Sequence, residues 1–143
     1  MNKAPARLLV VDDEKLIRWS IGLRFERRGY EIHHAESGED ALRQLPDLCP
    51  SLMILDVRLP GIDGVATLTR AQEIQPGIPT IMMSAHSTAD IIDQAMRIGA
   101  RAFLVKPFSL ELLEAAVDRL LWPDGERRPH NAGPILPSET QQP

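Results

Sequence analysis

Four apolar runs, LLVV, LMIL, TIMM and AFLV, each stop against a polar residue: Asp12, Asp56, Ser84 and Lys106. Continuous runs of Val, Ile, Leu and Met this short read as strands buried on both faces. Strands are predicted at Arg7–Val11, Glu31–Ala35, Leu52–Leu55, Thr80–Met83 and Ala102–Val105. Amphipathic stretches lie between them and predict helices near residues 14–28, 38–45, 65–75, 88–98 and 109–121. In the first, Ile17, Ile21 and Phe25 recur at a spacing of four on one face, and Gly29 stands where a C′ glycine ends a helix. Ser37 caps the second helix, with Asp40 completing a partial capping box. Ser109 caps the fifth, Glu111 complements its dipole, and Gly99 ends the fourth. Pro60, Gly61 and Gly64 interrupt the chain after Asp56 and predict a defined turn there.

Strands alternating with helices predict an α/β fold: a flavodoxin-like, doubly wound, five-stranded parallel sheet of order 2-1-3-4-5 with five helices. In such sheets ligands bind outside the carboxyl ends of the strands. Asp12, Asp13, Asp56, Ser84 and Lys106 all stand at predicted strand ends, so the fold brings them to one edge.

At 143 residues, 43% hydrophobic and 25% charged, the composition is that of one soluble globular domain. A net charge of -4 argues against nonspecific nucleic-acid binding by this domain. No apolar stretch is long enough to cross a membrane, and the N-terminus lacks a signal-peptide core. Cys49 is the sole cysteine, so no intramolecular disulfide forms and a cytoplasmic setting is expected. Cys49 itself reads as a small residue in a loop before Pro50. From Pro123 the pattern changes: the last 21 residues hold five prolines and no apolar period. Residues 1–122 are therefore expected to form the domain, and 123–143 a flexible Pro-rich tail or truncated linker.

The charges are unevenly chosen. Thirteen arginines stand beside only three lysines, and one of these, Lys106, closes an apolar strand. A cation there is costly unless it meets anions, so Lys106 is expected to pair with the strand-end acids. Three clustered carboxylates repel one another and call for a cation. Hard oxygen ligands of this kind suit Mg²⁺. A strand-end carboxylate can also attack phosphorus to form an aspartyl phosphate. Asp56 is placed for that role, with Lys106 and the Ser84 hydroxyl to hold phosphoryl oxygens.

The segments VVDDE, LDVRLPGIDG, MSAHS and LVKPF resemble the motifs of bacterial two-component response-regulator receiver domains. The resemblance spans about residues 7–121. It implies that Asp56 accepts a phosphoryl group from a sensor histidine kinase or histidine phosphotransfer protein. It also implies that Asp13, Asp56 and the backbone carbonyl of Arg58 bind Mg²⁺ directly, while Asp12 acts largely through water. Ser84 and Lys106 then contact the phosphoryl oxygens. Phe103 matches the family's switch aromatic, and Ser84 its switch hydroxyl. The face made by the fourth helix, fifth strand and fifth helix is where such receivers change partners. Lys106-Pro107 matches the family's cis peptide. Arg58 and His86 resemble receivers fused to sigma-54-dependent transcription activators, where these positions tune dephosphorylation. Ser84 replaces the more common threonine, which leaves χ1 freer.

The implied protein is a phosphorylation-dependent switch controlling a partner or an output domain, with a homodimer on phosphorylation also consistent. It is not a turnover enzyme; it catalyses only its own phosphorylation and dephosphorylation. A haloacid-dehalogenase reading fails because its general-acid aspartate would fall at Arg58. A flavodoxin-type cofactor site fails because the loop after the first strand reads Asp-Asp-Glu, which repels a bare phosphate. No GxGxxG follows a strand, which removes a dinucleotide fold. A degenerate, binding-only receiver is opposed by the complete set of pocket residues.

Other residues keep two readings. Arg18, Arg24, Arg27 and Arg28 form either a solvated helix face or a kinase-docking surface. Trp122 either covers the sheet end or contacts a linker. His33 and His34 have no metal-ligand partners in view.

Overall fold

The computed structural model describes residues 4–125. The elements run β1 (Arg7–Val11), α1 (Lys15–Glu26), β2 (Glu31–Ala35), α2 (Gly38–Leu48), β3 (Leu52–Asp56), α3 (Gly64–Ile74), β4 (Thr80–Ser84), α4 (Ala89–Ile98), β5 (Ala102–Val105) and α5 (Leu110–Leu121). The strands pair in parallel in the order β2-β1-β3-β4-β5, as the alternation of elements predicts.

Alternate residues of each strand face opposite sides of the sheet. Leu8, Val10, Leu52, Ile54, Ile81 and Met83 pack with Ile21 and Phe25 of α1 and with Leu113 and Val117 of α5. Leu9, Val11, Met53, Leu55 and Met82 pack on the other side with residues of α2, α3 and α4. The three inner strands are buried throughout apart from Arg7. The outer two are not: β2 and β5 are half-exposed, and Val105 is 52% exposed. The run AFLV is as apolar as the inner strands, but an edge strand has a neighbour on one side only.

Local signals place most helix ends. Ser37, Ser109 and also Asp63 and Thr88 cap their helices through side-chain oxygens. Gly29 takes a φ of 93°, and the amides of Gly29 and Tyr30 bond back to the carbonyls of Glu26 and Phe25 at 3.0 and 3.1 Å. This is a Schellman close, and the Tyr30 ring meets Phe25 edge-on at 5.4 Å across it. Helix α2 runs three residues beyond its predicted end, through Pro46. Near a helix end the proline forfeits one backbone bond without breaking the last turn, which Cys49 closes at φ 45°.

The four arginines of α1 and the turn that follows it do not form a solvated face. Arg24 bonds Glu114 at 2.9 Å and Glu111 at 3.2 Å, and Arg28 bonds Asp118 at 2.9 Å. Arg18 is buried, and only Arg27 of the four is exposed. Helical spacing cannot show that α5 lies alongside α1; the sheet topology does. Trp122 packs on the same side and donates its indole N–H to the Tyr30 hydroxyl at 2.8 Å, tying the end of α5 to the α1–β2 turn. The expected tail lies outside the described residues beyond Gly125.

Candidate functional site

Parallel register sets the site. Val11 pairs with Leu55 and Asp56 with Met83, so the residues that end β1 and β3 arrive side by side. The Asp12 amide bonds the Ala35 carbonyl at 3.1 Å, which holds that end of β1 against β2. Asp12 and Ser84 are fully buried, Asp56 is 5% exposed, and Asp13 faces solvent. Oxygens from the Asp12, Asp13 and Asp56 carboxylates all lie within 4.8 Å of one another.

Each buried acid is held twice. Asp12 Oδ1 accepts the Glu14 amide at 2.8 Å, and Asp56 Oδ1 accepts the Arg58 amide at 3.1 Å. The Lys106 ammonium then bridges Asp12 Oδ2 at 2.9 Å and Asp56 Oδ2 at 3.0 Å. The sequence-based pairing of Lys106 with the acids is therefore present. Burial alone would lower the Lys106 ammonium, but its bonds to Asp12 and Asp56 outweigh that and hold it above the ordinary lysine value. Burial pushes the Asp56 carboxyl up to about 6, and the Asp12 charge adds to it, against the opposing pull of Lys106 and the Arg58 amide.

Ser84 ends β4, but its hydroxyl turns to its own loop: it donates to the His86 carbonyl at 2.8 Å and accepts the His86 amide at 3.2 Å. The His86 side chain is exposed. Phe103 is half-buried against the core on the α2–α4 side of the sheet. The Lys106-Pro107 peptide is cis. His33 Nε2 lies 2.6 Å from Glu31, well away from this cluster in the fold.

A cleft of about 380 Å³ opens over the acids, lined by Asp13, Glu14, Asp56, Arg58, Leu59, Pro60, Ala85 and Lys106. Glu14, Leu59 and Ala85 were not singled out in the sequence, although each lies within a quoted motif, and Pro60 was read only as part of the turn. A larger hollow of about 560 Å³ lies between α3 and α4, apart from the clustered acids. The carboxylate oxygens of Asp12, Asp13 and Asp56 suit a hard divalent cation better than a soft one.

Residues 8–118 match the family described as the response regulator receiver domain. The chain belongs to that family. The receiver is 34% identical over 115 residues to regulatory protein AtoC of Escherichia coli (strain K12), covering 80% of this chain and 25% of that protein. It is 34% identical over 126 residues to the DNA-binding transcriptional regulator NtrC of Klebsiella pneumoniae, covering 88% of this chain and 27% of the relative. Among solved structures it resembles the receiver domain of NtrX from Brucella abortus, at TM-score 0.75 and 34% identity over 80% of this chain and 97% of that one. It also resembles the chemotaxis protein CheY4 of Vibrio cholerae, at TM-score 0.78 and 28% identity over 82% and 100% of the two chains. The receiver thus spans about a quarter of the length of the curated relatives named here. The transcription-activator subfamily suggested by Arg58 and His86 is the one to which these relatives belong. No helix among the described residues is long and apolar enough to cross a membrane.

Proposed function

We propose that this receiver accepts a phosphoryl group on Asp56 from a phosphohistidine of a sensor kinase or phosphotransfer protein, and so switches a partner or output domain. The observation that carries the reading is the strand-end cluster: a nearly buried Asp56 beside Asp12 and Asp13, bridged by Lys106. A carboxylate pushed up to about 6 is still mainly ionised at neutral pH, so it can act as the nucleophile.

An Asp56 oxygen attacks phosphorus as the P–N bond of the donor breaks, and the bonding electron pair stays on the imidazole. The Lys106 ammonium, already on Asp56 Oδ2, shifts onto a phosphoryl oxygen and follows the transferred charge. Ser84 must exchange its bond to the His86 carbonyl for one to the phosphoryl group. That movement offers a route from the pocket to the β4–α4 loop. Asp13 and Asp56, with the Arg58 carbonyl, are the residues to hold Mg²⁺, while Asp12 is already committed to Lys106 and the Glu14 amide. When bound, Mg²⁺ supplies charge neutralisation on the phosphoryl oxygens. Arg58 and His86, both exposed, stand where side chains can screen the acyl phosphate from water.

Exposed Leu16, Trp19 and Leu23 recur along α1 at helical spacing and offer an apolar strip to the donor protein. Met96, Val105 and Leu112 are exposed on α4, β5 and α5, the face proposed to change partners and to self-associate. The domain's acidic balance and the lone, exposed Cys49 fit work in the cytoplasm without direct nucleic-acid contact.

Intact mass after incubation with acetyl phosphate and Mg²⁺ tests the reading. One phosphoryl adduct is expected in the wild type and none in Asp56→Asn or in EDTA. Wild-type protein that stays unlabelled beside a labelled control receiver would make this a phosphorylation-independent binding module instead.

A further inference from the structure

Arg18 is a buried cation of α1, only 9% exposed. Buried guanidinium groups are nearly always matched by a carboxylate. Arg18 forms no ion pair among the described residues: Nη1 donates to the backbone carbonyl of Asp12 at 2.7 Å, and Nε is buried without a partner. A chain that places a charge here, at the cost of one unmet donor, gains what the single remaining bond does.

That bond falls on the peptide linking the two adjacent acids. The other polar groups of Asp12 are already committed, its amide to Ala35 and its carboxylate to Glu14 and Lys106. Its carbonyl is the last free handle. The peptide is planar, so holding the Asp12 carbonyl also sets the direction of the Asp13 amide and the position of its Cα. Asp13 is exposed, and its carboxylate makes no hydrogen bond among the described residues. Its placement near Asp56 therefore comes through its backbone.

We infer that Arg18 is a positioning residue: by holding the Asp12–Asp13 peptide it aims the Asp13 carboxylate across the cleft toward Asp56, ready for a divalent cation. This rests on the metal reading given above. Groups that orient a ligand from behind commonly set metal affinity by about 10- to 100-fold. The direction of the effect separates positioning from electrostatics, because deleting a nearby cation without moving Asp13 strengthens the attraction of Mg²⁺ to the acids.

Calorimetric titration of the full chain with Mg²⁺ alone, for wild type, Arg18→Met and Arg18→Lys, tests the inference. Arg18→Met is expected to weaken Mg²⁺ binding by about tenfold or more. Arg18→Lys is expected to restore most of the loss, because only one nitrogen of Arg18 is bonded. Affinity that is unchanged or tighter in Arg18→Met overturns the inference. So does equal weakening in both variants, which would trace the loss to packing. Should Arg18→Met fail to fold by circular dichroism, Arg18→Gln takes its place with the same outcomes. A wild type with no saturable Mg²⁺ binding would sink the metal reading and the inference together, whereas normal wild-type binding with an unaffected variant sinks the inference alone.

Discussion

Asp56 carries opposed demands. Its strand end buries it, the neighbouring Asp12 repels its charge, and Lys106 with the Arg58 amide only partly offsets both. The carboxyl therefore sits at about 6 in the folded protein, above its ordinary 3.8. Between those values the folded state holds more protons than the unfolded chain, so the Asp56 contribution to stability falls as pH rises through that window. Asp56→Asn, which imitates the neutral acid, is expected to melt higher than wild type in metal-free buffer. The gap should be small near the lower end of the window and wider at neutral pH, and added Mg²⁺ should narrow it. A pH-independent gap in thermal scans would locate the strain elsewhere. Lys106→Ala acts oppositely. Removing one partner of a buried ionic cluster costs about 3 kcal/mol, and Mg²⁺ should recover part of that loss in denaturant titrations. At this scale the chain was legible: Asp12, Asp56, Ser84 and Lys106 each terminate an apolar run. Arg18 was not, because its burial comes from neighbours on other elements.

The loop from Val57 to Gly64 behaves as a built element. The Gly64 amide closes it onto the Val57 carbonyl at 2.7 Å, Asp63 caps α3, and Glu39 of α2 accepts the Ile62 amide at 3.1 Å. The Glu39 carboxyl is held below the usual range by its own amide and by that of Ile62. This tie is present at neutral pH and is lost as pH falls through the depressed value. Gly64 has no room for a side chain: a Cβ there would lie 2.2 Å from the Asp56 carbonyl oxygen. Gly64→Ala is expected to cost about 1–3 kcal/mol and to slow phosphoryl uptake, because the atom in the way belongs to the backbone of Asp56, the proposed acceptor. An unchanged labelling rate in a clearly destabilised variant would show that the loop does not set the acceptor. The α1–α5 contact is ionic at its exposed margin. A double-mutant cycle on Arg24 and Glu114 should give about 0.5–1 kcal/mol of coupling that declines with salt. The sequence marked Pro60, Gly61 and Gly64 as a turn, but not Glu39 as its anchor 23 positions away from Ile62.

Across the whole molecule the pocket and the proposed output face share β4, β5 and their following loops. Ser84 and Lys106 stand at the ends of adjacent strands, joined by the Lys106 amide on the Ser84 carbonyl at 2.8 Å. Half-buried Phe103 lies on the same strand as exposed Val105. In the proposed function, a change at the Ser84 hydroxyl would reach the α4–β5–α5 face through this one strand pair. Met96→Lys and Leu112→Lys, both distant in the chain from the acids, are expected to leave acetyl phosphate labelling intact while removing phosphorylation-dependent self-association in sedimentation velocity. Persistent assembly of the phosphorylated variants would move the interface to another face.

Strand and helix identity, the parallel order and the edge where chemistry gathers all followed from local patterns. Apolar runs of strand length, capping residues and glycine stops act over a few positions, and a right-handed parallel topology leaves few ways to join them. How far the edge strands are exposed, which arginines are buried and which loop Glu39 braces depended on packing between elements far apart in the chain. Those choices carry no local signature, because burial and pairing are properties of neighbours in space. The acids Asp12, Asp13 and Asp56 were visible in the sequence as residues; only the folded sheet made them a cluster.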